Sequence, residues 1–398
     1  MSTDAPPDEV GLAPGSQRWR LATLSTGQVI SWGILYYALI VAAPVVSTDT
    51  GWPLATVMLA FSAGLVASAI AGILVGRWLD RGSPRVVMTG GSLVGALGLV
   101  VVSAAHDLPV FVIGWIVVGL GQSAVLYQAA FTVITRRHAS GRRRAMTVVT
   151  LAGGLASTVF APVVAGMLSV LDWRATMLAL AVVLVVTTTP LHWLSLERMW
   201  PPRSAGVAEE PHHSVSTVLR TRRFWTLELA MIAVAAALYS VTLAIIPLYT
   251  EHGMTFELAA WGLGLLGAGQ VLGRIVYVVL PHGASPWVPL ALTAGLSALA
   301  LGLLALVPGP PWLLILIGIG AGAVRGAQTL VQGSAVADRW GTRNYGAING
   351  AFAAPITAVT ALGPALGPVL ASATGSYATM GLVAAVLAIV GLMLARFS

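Results

Sequence analysis

Twelve segments of this chain are apolar for about 20 residues or more, the length a helix needs to cross a bilayer. They run over approximately 21–47, 54–76, 86–104, 108–135, 144–168, 174–196, 224–249, 257–280, 287–307, 311–336, 346–371 and 375–397. Inside hydrocarbon the backbone has no water to bond, so such segments satisfy their own polar groups as helices. The expected fold class is an all-α membrane protein of twelve transmembrane helices. Composition agrees: 57% of residues are hydrophobic and 9% charged, against roughly one quarter charged in soluble domains.

The basic residues test this reading. All 21 are arginine, since lysine is absent, and arginine bias toward cytoplasmic loops sets orientation. With both termini inside, eighteen arginines fall at cytoplasmic positions, Arg174 falls outside, and Arg274 and Arg325 fall within spans. The expected outer loops carry Asp49, Asp107, Asp172, Glu251 and Glu257 instead. The expectation is a multi-pass protein of the plasma or inner membrane, a monomer with the lipid bilayer as its surroundings. The net charge of +7 follows from topology, so no nucleic-acid partner is implied. Residues 1–20 are polar and acidic, without the basic-then-apolar order of a secretory signal, and read as a disordered cytoplasmic tail. Without lysine there is no phosphate-binding P-loop, which argues against a nucleotide-driven pump in this chain. Without cysteine there is no thiolate chemistry, and no cofactor or metal site is expected.

One long polar interior stretch, 197–223, separates a bundle over 21–196 from a second over 224–398. The halves resemble one another at an offset of about 202 residues: "DRGSP" at 80–84 lies over "HGASP" at 282–286, Pro162 over Pro364, and "WRATM" at 173–177 over "SYATM" at 376–380 with one extra residue. Two parallel six-helix repeats, pseudo-symmetric bundles, are the architecture of major facilitator transporters.

Between spans 2 and 3 stands "GRWLDRGSPR", residues 76–85. It resembles the signature loop of the major facilitator superfamily, with Gly76, Asp80, Arg81, Gly82 and Arg85 at the matching positions and Ser83-Pro84 departing from the commonest pattern. The residue types suit a latch: Gly76 permits close helix approach, and Asp80 can sit near the positive start of a neighbouring helix or an arginine. The resemblance implies that this loop meets the start of span 11. In the second half His282 replaces the aspartate, so the latch is expected on the first half alone.

The intramembrane arginines narrow the function. A charged side chain in a span is costly and is a functional-site candidate by default. Arg274 lies eight residues before His282, roughly 12 Å of helix at about 1.5 Å per residue. Gln270 and Arg274, at i and i+4, share a helix face and can offer a carboxylate an amide and a guanidinium fork, with Gly267, Gly269 and Gly273 expected to leave room beside them. The bland alternative is an arginine reaching toward headgroups or closing a gate. Here the chain resembles the monocarboxylate transporter family and its oxalate/formate-antiporter relatives, on Gln270 and Arg274 and on "TGQVISWGILYYALIVAAPVVSTDTGWP". That resemblance implies that Arg274 binds a substrate carboxylate. Span 11 lacks the basic residue of the oxalate carriers, which favours one carboxylate. Arg325 in span 10 is either a second anion site or a structural cation. In span 4 the resemblance singles out Tyr127 as the substrate-facing aromatic. Tyr36, Tyr37, Gln122, Gln328 and Gln332 are further candidates, each equally able to serve as interhelical glue.

The expected function is a secondary transporter of a small organic anion, a monocarboxylate above all, working by alternating access, with protons as a candidate coupling ion. No acid lies deep in a span; Glu228, four residues into the seventh, is nearest. The alternatives are a drug or metabolite exporter of the same superfamily and a non-transporting membrane enzyme or sensor. Against the last, no HExxH, GxSxG or comparable constellation is present.

Overall fold

The computed structural model describes residues 14–137, 141–200, 214–279 and 285–398, and the regular elements among them are helices. Eleven helices are long and apolar enough to cross a membrane, or twelve when one bent pair counts as a single span. In order the spans are Gln17–Thr50, Leu54–Arg81, Pro84–Ser103, Leu108–Arg137, Arg142–Leu168 and Trp173–Ser195, then Arg222–Leu243, Phe256–Val279, Val288–Leu306, Pro311–Trp340, the pair Tyr345–Ala361 and Gly363–Thr374, and Tyr377–Ala395. The fold is all-α, as the apolar periodicity requires.

Several boundaries differ from the sequence expectation. Residues 14–20, expected in a disordered tail, are helical from Pro14 onward, and Arg20 has a carboxylate partner in Glu197; residues 1–13 lie outside the described residues. Helix 2 continues to Arg81, so "GRWLDR" is its last turns rather than a loop. The sequence stretch 197–223 is not uniformly a linker. Glu197 and Trp200 bind back onto helices, and Val215–Leu219 forms a short helix, while 201–213 lie outside the described residues. His282 lies outside them too.

Several spans are broken, some of them at prolines. The seventh ends at Leu243 and a second helix, Ile245–Glu251, follows; Pro247 lacks an N–H and its ring would strike the carbonyl four residues back, at Leu243. The eleventh bends by 59°, with a proline in the first turn of its second helix, where a missing N–H costs nothing. The first contains a π-turn, Gly33–Tyr37. The fourth is interrupted at Leu126, whose φ of −82° and ψ of −168° are extended rather than helical.

The chain divides into two compact units, Met1–His213 with Trp340–Ala351, and Ser214–Arg339 with Phe352–Ser398. The first unit thus takes in the link into span 11 and that span's first turns. Its core holds Phe111, Trp115 and Trp173, all nearly sealed from solvent, with their rings edge-on.

The two units repeat one contact. In the first, the Asp49 carboxylate accepts from Trp173 Nε1 at 2.7 Å and from Arg174 Nη1 at 3.0 Å, pinning the start of span 6 to the end of span 1. In the second, the Glu251 carboxylate accepts from the backbone N–H groups of Tyr377 and Ala378 at 2.7 and 3.0 Å, pinning the start of span 12 to the helix that follows span 7. Glu251 stands 202 positions after Asp49, the offset at which the two halves of the sequence resemble one another.

Candidate functional site

In the first unit, the last turns of helix 2 meet the first turn of Tyr345–Ala361. A side chain on Gly76 would collide with the carbonyl of Gly346, so glycine is what lets the backbones touch there. The Asp80 side chain, at a residue 9% exposed, accepts from the N–H groups of Gly346 at 2.9 Å and Ala347 at 2.6 Å. These are unsatisfied donors at a helix start, where the peptide dipoles place partial positive charge. Arg136 Nη1 donates to the Asp80 carbonyl at 2.7 Å and lies 3.9 Å from its carboxylate, while its guanidinium covers the Trp200 ring at 4.9 Å. Arg81 is exposed. Arg85 turns the other way, donating from Nε to the Leu196 carbonyl at 2.9 Å and standing over Trp193 at 5.5 Å.

Glu197 was not singled out from sequence. Its carboxylate accepts both Nε and Nη2 of Arg137, at 2.8 and 2.5 Å, and a hydrogen bond from Arg20. It thereby ties the ends of spans 1, 4 and 6. The available signal was an acid immediately after a span, in a stretch otherwise rich in arginine.

Spans 1 and 4 are joined by two reciprocal glutamines. Gln122 Nε2 donates to the carbonyl of Leu35 inside the π-turn at 2.6 Å, and Gln28 Nε2 donates to the carbonyl of Val125 beside the Leu126 break at 2.5 Å. Each irregular stretch is satisfied by a side chain of the other helix, so the Gln122 Nε2 is spent on structure while its amide oxygen has no hydrogen-bond partner among the described residues. Around them Trp32 lies 5.0 Å from Tyr36 and 4.8 Å from Tyr127, Tyr36 meets Tyr37 and Phe61 edge-on at 5.1 Å, and Tyr127 stacks on Phe131. Tyr127 also donates to the Thr150 carbonyl at 3.1 Å. The three candidate tyrosines are half-buried and share one aromatic group with Trp32, which sequence reading had passed over.

In the second unit, spans 8 and 10 run side by side. A Cβ on Gly269 or Gly273 would strike the carbonyl of Ile319 or Ala323, and one on Gly322 or Gly326 that of Leu266 or Gln270. The room expected beside Gly269 and Gly273 is therefore filled by backbone; beside Gly267 it is open. Arg274 is 7% exposed, and Gln270 half-buried. One turn beyond Arg274, Tyr277 and Ser334 share a hydrogen bond of 3.1 Å.

Arg325 has different neighbours. Its Nη1 donates to Thr242 Oγ1 at 3.0 Å and its guanidinium lies 4.1 Å from the centre of the Tyr239 ring. Among the described residues no carboxylate stands within ion-pair distance of it. Gln328, one turn on, donates to Met231 Sδ at 2.9 Å. Tyr239 and Thr242 went unnoticed in the sequence, although Tyr239 stands 202 positions after Tyr37 and the repeat offset would have found it.

Apolar spans broken at facing positions, polar groups buried along their seams and a guanidinium held inside a span define a multi-pass membrane transporter. The sequence matches the Major Facilitator Superfamily over residues 24–331. The chain belongs to that superfamily. It is similar to a Thermoproteus tenax protein described as an uncharacterized 38 kDa protein in the 23S RNA operon, at 28% identity over 86% of this chain and 89% of that one. It is also similar to the enterobactin exporter EntS of Shigella flexneri, at 25% identity over 88% of this chain and 83% of EntS. Its fold matches the crystal structure of the Escherichia coli fucose:proton symporter FucP with a TM-score of 0.70, at 17% identity, over 95% of this chain and 98% of FucP.

Proposed function

We propose that this transporter moves a small organic anion, of the monocarboxylate class, by alternating access, with its arginine-rich span ends facing the cytoplasm. Arg325 carries the reading. A permanent cation within a span calls for a counter-charge, and among the described residues the partners of Arg325 are a hydroxyl and an aromatic face. A cargo carboxylate would complete it, with Tyr239 and Thr242 orienting the guanidinium and the buried Arg274, beside Gln270, as a second anchor. Tyr36, Tyr37 and Tyr127 remain candidate contacts of the first unit, and Gln328 of the second. Asp80 and Gly76 act as the latch, with Arg85 bracing the same loop against the end of span 6: making and breaking the Asp80 contact with the start of span 11 accompanies each turnover.

The test is ligand-dependent thermal stabilisation of the purified protein by lactate, pyruvate, acetate and oxalate. Charge-assisted hydrogen bonds contribute about 1.5–3 kcal/mol, so Arg325→Gln is expected to weaken binding of the stabilising acid by roughly 10- to 150-fold, and Arg274→Gln to weaken it as well. Equal stabilisation of wild type and Arg325→Gln would remove the anion reading. A second reading, an exporter of uncharged compounds, draws on the similarity to EntS and the aromatic group around Trp32. Export of such a compound undiminished in Arg325→Gln would favour it.

A further inference from the structure

Among the described residues Glu228 is a buried acid with no partner. It lies in span 7 at 1% exposure, and neither carboxylate oxygen has a hydrogen-bond partner among the described residues. Among the described residues no cation forms an ion pair with it. The short helix 215–219, span 9, the second helix of span 11 and span 12 all pack on span 7; the ionisable side chains they bring are Tyr377, which opens span 12, and the exposed Arg396, which caps its end beside Thr226. The helix after span 7 has Tyr249, bonded to the Leu314 carbonyl, and Glu251, committed to Tyr377 and Ala378. On span 10, Arg325 is bonded at Thr242, fourteen residues or about 21 Å along span 7 from Glu228. Toward the other end, span 10 carries Asp338 and Arg339, the latter bonded to Ala335 and Ser398. On span 7 itself Arg222 and Arg223 stand at the helix start. A buried carboxylate with neither donor nor cation beside it is accommodated as the neutral acid.

Its place in the fold adds to this. Glu228, Met231, Ala235, Tyr239 and Thr242 fall on one face of span 7, at i, i+3, i+7, i+11 and i+14. Span 10 crosses that face antiparallel, Arg325 meeting Thr242 and Tyr239, and Gln328 meeting Met231. Among the described residues, a guanidinium without a carboxylate and a carboxylate without a cation thus stand along one face of span 7.

We infer that Glu228 is a proton-binding site, holding a proton in the conformation described and releasing it when the seam between spans 7 and 10 opens. The step is a proton transfer alone: the acid O–H bond breaks, the proton passes to water, and the carboxylate remains. The inference rests on the transporter class and not on the identity of the cargo.

Infrared spectroscopy of the full-length protein in lipid vesicles tests it without any substrate. The wild type is expected to show the carbonyl stretch of a protonated carboxylic acid, shifted in D2O, absent from Glu228→Gln, and displaced but present in Glu228→Asp. The band is expected to vanish and return as pH is raised and lowered, with helix content by circular dichroism unchanged. Absence of the band in wild type, or its persistence in Glu228→Gln, overturns the site. A band indifferent to pH wherever the protein stays folded overturns it too, because a purely structural acid would behave that way.

Discussion

Asp80 shows how much one side chain can do at a helix start. Its two oxygens take the N–H groups of Gly346 and Ala347, donors with no partner inside their own helix. A charge at a partly buried helix terminus contributes up to about 2 kcal/mol. Asp80→Asn keeps one acceptor oxygen and loses the charge, so a destabilisation of about 1 kcal/mol is expected, seen as a lower Tm in detergent; Asp80→Ala should lower it further. An unchanged Tm in both variants would mean that the contact contributes nothing to this conformation. That Asp80 suits a helix terminus was legible in the sequence, since a carboxylate closing an apolar span needs some donor. That its donors would come from the start of span 11 followed only from the family resemblance, and the individual N–H groups from neither, because they lie more than 260 residues away. Glu197 was illegible for the same reason: its cations, Arg20 and Arg137, come from different spans.

At the scale of elements, glycine is where the sequence misled most. In an apolar run a glycine reads as space, and only the neighbour decides whether the space exists. Gly273 is closed by the carbonyl of Ala323, whereas Gly267 has nothing within 4 Å. Overpacking costs about 1–3 kcal/mol, and collision with backbone leaves little to relax. Gly273→Val is therefore expected to lower Tm and folded yield sharply, with Gly267→Ala near wild type. Equal behaviour of the two would contradict the close approach of spans 8 and 10. Broken spans follow the same logic. Pro247 announces the end of span 7 four residues earlier, but the π-turn in span 1 has no such marker. It persists because Gln122 from span 4 satisfies the Leu35 carbonyl, so the local backbone is decided by a side chain of another helix.

For the whole molecule, the repeat yields a prediction that neither half would suggest alone. Asp49 and Glu251 each pin the first turn of the last span of their unit, through bonds of similar length. Asp49→Asn should speed hydrogen exchange at the start of Trp173–Ser195 and leave Tyr377–Ala395 unchanged, and Glu251→Gln should do the reverse. Exchange that rises at both starts in either variant would deny that each acid serves its own unit. What the sequence determined by itself was the all-α membrane class, the approximate placement of its spans, the internal repeat and the two cations left inside helices. Those properties follow from the bilayer, which tests every 20-residue window for hydrophobicity and every charge for its position, with no reference to distant residues. Only the tertiary structure decided which polar groups are consumed and which are left over: the Gln122 Nε2 spent on a carbonyl, Asp80 on a helix start, Arg325 beside a ring and a hydroxyl, Glu228 without a partner among the described residues. A hydrogen bond or an ion pair is short-ranged and directional, so its existence depends on residues far apart in the chain being brought within about 3 Å, and no local pattern encodes that.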